Sequence, residues 1–89
     1  MDYKSAIVSL DNFIADYPGT PFKEDALYYK LDSAYQLGIN SVPAKMQERL
    51  NVAKTAYSNL IKFEANTKYK KNADDMLAKI EKDLQNFTK

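Results

Sequence analysis

Residues 3–28 read Tyr3-Lys4-Ser5-Ala6-Ile7-Val8-Ser9-Leu10-Asp11-Asn12-Phe13-Ile14-Ala15-Asp16-Tyr17-Pro18-Gly19-Thr20-Pro21-Phe22-Lys23-Glu24-Asp25-Ala26-Leu27-Tyr28, and they decide the fold. Tyr3, Ala6, Ile7, Leu10, Phe13, Ile14 and Tyr17 recur at intervals of three and four, which places them on one stripe of an α-helix. Pro18, Gly19 and Pro21 then end the pattern, because proline removes a backbone donor and disfavours helical geometry in the residue before it. The helix restarts at once. Thr20 has the chemistry of a cap, Pro21 suits a first helical position, and Glu24 and Asp25 complement the positive end of the next dipole. The stretch predicts a helical hairpin.

Working outward, the first helix is expected over 3–17 and the second over 22–37, with Ala26, Leu27, Leu31, Ala34 and Tyr35 as its buried stripe. Gly38 stands where a left-handed residue would close that helix. Residues 39–43 form a connection in which Ser41 is a cap candidate and Pro43 marks the next start. A long third helix over 44–64 carries Met46, Leu50, Ala53, Tyr57, Leu60 and Ile61 at helical spacing. Thr67 is again in a capping place, and a fourth helix over 69–87 carries Ala73, Met76, Leu77, Ile80, Leu84 and Phe87 on one face.

A shift of 47 positions lays Ala6, Asn12, Ile14, Thr20, Lys23, Ala26 and Leu37 on Ala53, Asn59, Ile61, Thr67, Lys70, Ala73 and Leu84. Caps, breaks and stripes coincide in the same register, which predicts two repeat units, 3–40 and 44–87, within one domain over 1–89. The registers differ where Glu64-Ala65-Asn66 replaces Tyr17-Pro18-Gly19, so a looser second turn is expected. Helix–turn–helix repeats stack so that each hairpin buries its open face on the next. A tetratricopeptide unit repeats at about 34 residues, and the segment from Ile39 to Glu48 accounts for the longer period here. The expected fold is all-α, with tetratricopeptide-like antiparallel hairpins and about four helices in a short right-handed stack. Since such stacks usually need three or more units, apolar ends and self-association are expected, and the chain reads as part of a longer repeat protein.

Composition narrows the chemistry. Apolar residues make up 45% of the 89, with two glycines and three prolines, so the chain is a folded helical one. Thirteen basic and twelve acidic residues give a net charge of +1, too little for the counterion release that drives nucleic-acid binding. The chain has neither cysteine nor histidine. Thiol catalysis, disulfides and the commonest metal and acid/base groups are thereby absent. Glu24 with Asp25, and Asp74 with Asp75, are adjacent on a helix and diverge, so they do not make a carboxylate pair for catalysis or metal binding. We expect no enzyme activity, no metal and no cofactor. No apolar run approaches the roughly 20 residues of a membrane span.

The order Tyr3, Ala6-Ile7, Phe13-Ile14, Tyr17-Pro18-Gly19-Thr20-Pro21-Phe22, Glu24-Asp25-Ala26 and Tyr28 resembles the tetratricopeptide units of the BamD (YfiO-like) family of outer-membrane assembly lipoproteins. Pro43, Lys45, Arg49, Ala53, Tyr57 and Leu60 are similar to its inter-repeat segment and following helix. That resemblance implies a non-catalytic scaffold at the periplasmic face of the outer membrane, in the complex that folds β-barrel proteins, with BamA-like POTRA domains as partner. It implies membrane association through a lipid anchor on a cysteine that this chain lacks. The alternative is a generic tetratricopeptide peptide-binding adaptor, for example in envelope or cell-division coordination. A third reading is a helical accessory to a separate catalytic domain.

The candidate contact residues for a protein partner are Tyr28, Tyr29, Gln36, Lys68, Lys70 and Lys71. Tyr28 and Tyr29 point about 100° apart on one helix, so at least one leaves the hairpin core. Lys68, Lys70 and Lys71 form the sole basic cluster, at a helix start that opposes positive charge. Tyr3, Tyr17, Tyr35 and Tyr57 are expected between helices. Phe63, Phe87 and Met76 are candidates for apolar surface at the open end, Phe87 more for closing the core. Asn12 and Asn59 occupy equivalent places and read either as inter-hairpin hydrogen bonds or as solvent-facing residues.

Overall fold

The computed structural model describes residues 2–87; Met1, Thr88 and Lys89 lie outside the described residues. Four helices follow in order, α1 (Tyr3–Asp16), α2 (Lys23–Ile39), α3 (Pro43–Phe63) and α4 (Lys70–Gln85), with no strand among the described residues. The fold is all-α and tetratricopeptide-like. Helix α2 is the hub, packing on α1, α3 and α4, while α1 touches α2 alone. The core gathers Leu27, Leu31 and Ala34 of α2, Leu50, Ala53, Ala56 and Leu60 of α3, and Ala73 and Ile80 of α4. Ile7 and Ile14 of α1 pack against it from outside, and α1 has no buried residue of its own.

The two short turns are built alike, bond for bond. Tyr17 N–H closes α1 on the Phe13 carbonyl, as Glu64 N–H closes α3 on that of Leu60. Thr20 N–H donates to Tyr17 and Thr67 N–H to Glu64; Lys23 N–H donates to Thr20 and Lys70 N–H to Thr67. Thr20 Oγ1 accepts from Phe22 N–H at 3.1 Å, and Thr67 Oγ1 from Tyr69 N–H at 3.3 Å. Phe22 and Tyr69 precede their helices with φ of −96° and −94°. The looser second turn is therefore not found. The reason is local: Glu64 Oε2 accepts from Asn66 N–H at 3.0 Å, holding the chain where proline and glycine do so in the first turn.

Several boundary expectations need correction. Pro21 lies in the turn, two residues before α2, and the two threonines cap that turn and not the helix itself, since neither α2 nor α4 has a side-chain cap. Gly38 does not end α2. It sits inside the helix, buried, and no residue of positive φ occurs among those described. A Cβ there would stand 2.7 Å from Leu50 Cδ2, so the close approach of α3 favours glycine at this position. Ser41 does not cap α3 either: its hydroxyl donates to the Leu37 carbonyl and accepts from Arg49 Nη1 at 2.7 Å. An unforeseen cap does occur at Asp2, which accepts from Ser5 N–H at 3.1 Å.

Candidate protein-docking site

Two groups of side chains decide what the surface offers. The first ties the second turn to the start of α2. Glu24 accepts from the Thr67 hydroxyl and, at 3.1 Å, from Lys68 N–H. Asp25 accepts from the Tyr69 hydroxyl and pairs with Lys68 Nζ at 3.1 Å. Tyr28 stacks on Tyr69, with ring centroids 3.9 Å apart and planes within 1°. The first-turn acids thus serve the α2 dipole and clamp the second hairpin to the first. Farther along, the Tyr57 hydroxyl donates to Asp74 at 2.6 Å, and Lys70 pairs with the same carboxylate at 2.7 Å.

These contacts set the titration behaviour. The Tyr69 hydroxyl, then the Lys68 ammonium, hold the Asp25 carboxyl below its ordinary range; Lys70, then Tyr57, do the same for Asp74. Bonding to Asp25 and burial push the Tyr69 phenol well up, and bonding to Asp74 followed by burial raises Tyr57. A carboxylate with a depressed folded pKa contributes stability that is present above its unfolded value, about 3.9, and lost as pH falls through the folded one. A phenol with a raised folded pKa contributes stability that is present below about pH 10 and lost above it. Thermal melts should therefore fall on both sides. The acid fall should be shallower in an Asp25→Asn, Asp74→Asn variant, and an unchanged acid profile would show that these carboxylates do not carry it.

The second group is open. Phe13, Tyr17, Gly19, Thr20, Pro21 and Phe22 line a groove of about 440 Å3 at the first turn. It shares Phe13 and Phe22 with a second groove of about 470 Å3, whose other walls include Leu10, Tyr29, Lys68 and Tyr69. Tyr17, Phe22 and Tyr29 are 60%, 61% and 52% exposed, so one aromatic surface runs from the α1–α2 turn to the clamp. Phe22 holds the place in its turn that Tyr69 holds in the other. Tyr69 is stacked on Tyr28 of the first hairpin and half-buried; Phe22 is exposed, with no stacked ring partner among the described residues.

Of the six candidate contact residues, Tyr29 stands on this surface, and Gln36 lies two turns farther along the same stripe of α2, half-buried. Tyr28 is turned inward onto Tyr69. Lys68 and Lys70 are engaged by Asp25 and Asp74, and Lys71 is exposed. Tyr17 departs from expectation: as the residue closing α1 it packs beside Phe13, at 5.5 Å between centroids, and not between helices. Tyr3, Tyr35 and Tyr57 are half-buried, Phe63 is exposed, Phe87 is half-buried, Met76 packs on the core, and Asn12 and Asn59 face solvent. Phe13 and Phe22 were not singled out from sequence as contacts. The available signal was that Phe22 falls outside the apolar stripe of α2.

Stacked helical hairpins with an exposed aromatic surface and a polar inter-hairpin clamp define a tetratricopeptide-like protein. No helix among the described residues is long and apolar enough to cross a membrane, and no group of acidic residues among them is arranged to hold a metal ion. The family model for YfiO, described as outer membrane lipoprotein, matches residues 1–87, and the chain belongs to that family. Comparison with curated proteins and with solved structures returned no match.

Proposed function

We propose that the chain is a non-catalytic protein–protein scaffold in outer-membrane protein assembly. It acts at the periplasmic face of the membrane, and its partner is a POTRA-type domain of a BamA-like barrel-forming subunit. The two units are 3–40 and 44–87. Family membership supports the setting. The single observation that carries the contact surface is the exposure of Tyr17, Phe22 and Tyr29 on one aromatic face that half-buried Phe13 also lines. Exposed aromatics gathered in one patch supply large contact area at low entropic cost.

Tyr29 is assigned to direct contact, with Gln36 along the same stripe and Lys68, Lys70 and Lys71 at the basic rim. Tyr28 acts by holding the second hairpin in place. The test is binding of purified POTRA domains to the immobilised chain, with Phe22→Ser and Tyr29→Ala singly and together. Each anchor should be worth at least about 1–2 kcal/mol, roughly tenfold in Kd. Circular dichroism should stay helical. Unchanged affinity in the double variant would remove this surface from the reading, and capture of short peptides in place of the folded domain would favour the adaptor.

A further inference from the structure

The offset that lays one hairpin on the other also shows where they part. On α2, Leu27, Leu31, Ala34 and Gly38 are buried where the second hairpin packs. Their counterparts on α4 are Asp74, Ala78, Glu81 and Gln85; Asp74 is half-buried and the other three are exposed. Helix α4 keeps its other stripe, Ala73, Met76, Ile80 and Leu84, on the core, and none of its large apolar residues is exposed.

The contrast is concentrated in the groove between α3 and α4, about 280 Å3, lined by Lys54, Glu81, Leu84 and Gln85. The same four positions of the first hairpin are Ile7, Ala34, Leu37 and Gly38, and there they cradle α3. Ala34 is 1% exposed, Ile7 packs on the core, and Gly38 leaves room for Leu50. In the second hairpin an ion pair replaces Ile7 and Ala34, with Lys54 Nζ 3.9 Å from Glu81 Oε1, and a glutamine replaces the glycine. A helix laid in this groove would strip water from both charges and meet the Gln85 side chain where α3 uses the space of a missing Cβ.

The clamp is missing as well. A second copy, stacked in the register of this chain's own hairpins, would set Thr20-Pro21-Phe22 on the start of α4, where Lys71, Asn72 and Asp75 replace Glu24, Asp25 and Tyr28. Pro21 has no N–H to give where Lys68 N–H binds Glu24, and Phe22 has no hydroxyl where that of Tyr69 binds Asp25. The Asp75 carboxylate would lie against the negative face of the Phe22 ring, in the place where Tyr28 stacks on Tyr69.

We propose that α4 is a stop that keeps copies of this chain from stacking end to end. Such head-to-tail contacts are heterologous and grow into open filaments. One unfavourable face is enough to prevent them.

The test puts a single thiol on the stop, as Ala78→Cys, in a chain that has no cysteine of its own. Its rate of labelling by a maleimide is followed with the sedimentation mass as protein concentration rises. In the otherwise native chain, position 78 should label at the rate of an exposed thiol at every concentration. A rebuilt variant carries first-hairpin residues at four exposed positions, Lys54→Ile, Asp75→Tyr, Glu81→Ala and Gln85→Gly. With helical circular dichroism retained, it should associate at least about tenfold more tightly than the native chain, with position 78 protected as it does so. Protection of position 78 in the native background overturns the proposal, and that arm depends on none of the four substitutions. A helical rebuilt variant that stays monomeric and freely labelled overturns it too, because the polar residues would then not be what stops the stack.

Discussion

Leu31→Ala is expected to lower the unfolding free energy by about 3–4 kcal/mol, since removing a fully buried leucine side chain loses its transfer energy and leaves a cavity. Leu31 is 0% exposed and lies on α2, the one helix that packs on all three others, so no single neighbour can move in to fill the space without parting from another. A chain of 89 residues carries a total stability of about 4–13 kcal/mol, and the substitution removes a large share of it. In urea the midpoint should fall strongly while the slope stays constant, which marks a change in stability and not in the denatured state. A matched truncation at Ile7, which lies half-buried on the outside of the core, should cost much less. A loss at Leu31 below about 1 kcal/mol would mean that α2 is not the centre of the fold.

The stripes and breaks were legible because each is local. Seven apolar residues at helical spacing, followed by Tyr17-Pro18-Gly19-Thr20-Pro21, specify a hairpin within the reach of neighbouring backbone groups. The 47-residue offset was legible for the same reason, and Thr20 and Thr67 make the same hydrogen bond in both turns. What was not legible depends on distance through the chain. Glu24 and Asp25 read as partners of a helix dipole, yet their principal partners, Thr67, Lys68 and Tyr69, come from the turn more than forty residues on. Tyr28 looked like a surface aromatic because nothing in its neighbourhood shows that Tyr69 will be laid flat against it. The candidate site was half legible: Tyr29 was named, but the exposure of Phe22 depends on which of two equivalent turns has a stacked ring partner, and that is a property of the stack.

Gly38 carries the second large effect. Local sequence offers two reasons for a glycine near a helix end, a left-handed backbone or a close neighbour, and only packing distinguishes them. Here α2 continues to Ile39, and a Cβ at position 38 would meet Leu50 Cδ2 at 2.7 Å, Cγ at 3.1 Å and the Leu50 backbone nitrogen at 3.4 Å. Leu50 is itself 0% exposed, so its side chain has no solvent to retreat into. Gly38→Ala therefore sets two terms against each other: about 1 kcal/mol gained in helix propensity and about 1–3 kcal/mol lost to overpacking. The net should be a small loss. Gly38→Val adds two further methyl groups in the same direction with less propensity gain, and should cost about 3 kcal/mol. If the helices are held apart by the clash, the cost must depend on Leu50. Leu50→Ala alone should be destabilising by about 3 kcal/mol, yet Gly38→Val in that background should cost little or restore stability, because the new methyls fill the vacated space. The double-mutant cycle should then show a coupling above about 1 kcal/mol. Additive losses would instead mean that the Leu50 side chain is not what limits position 38.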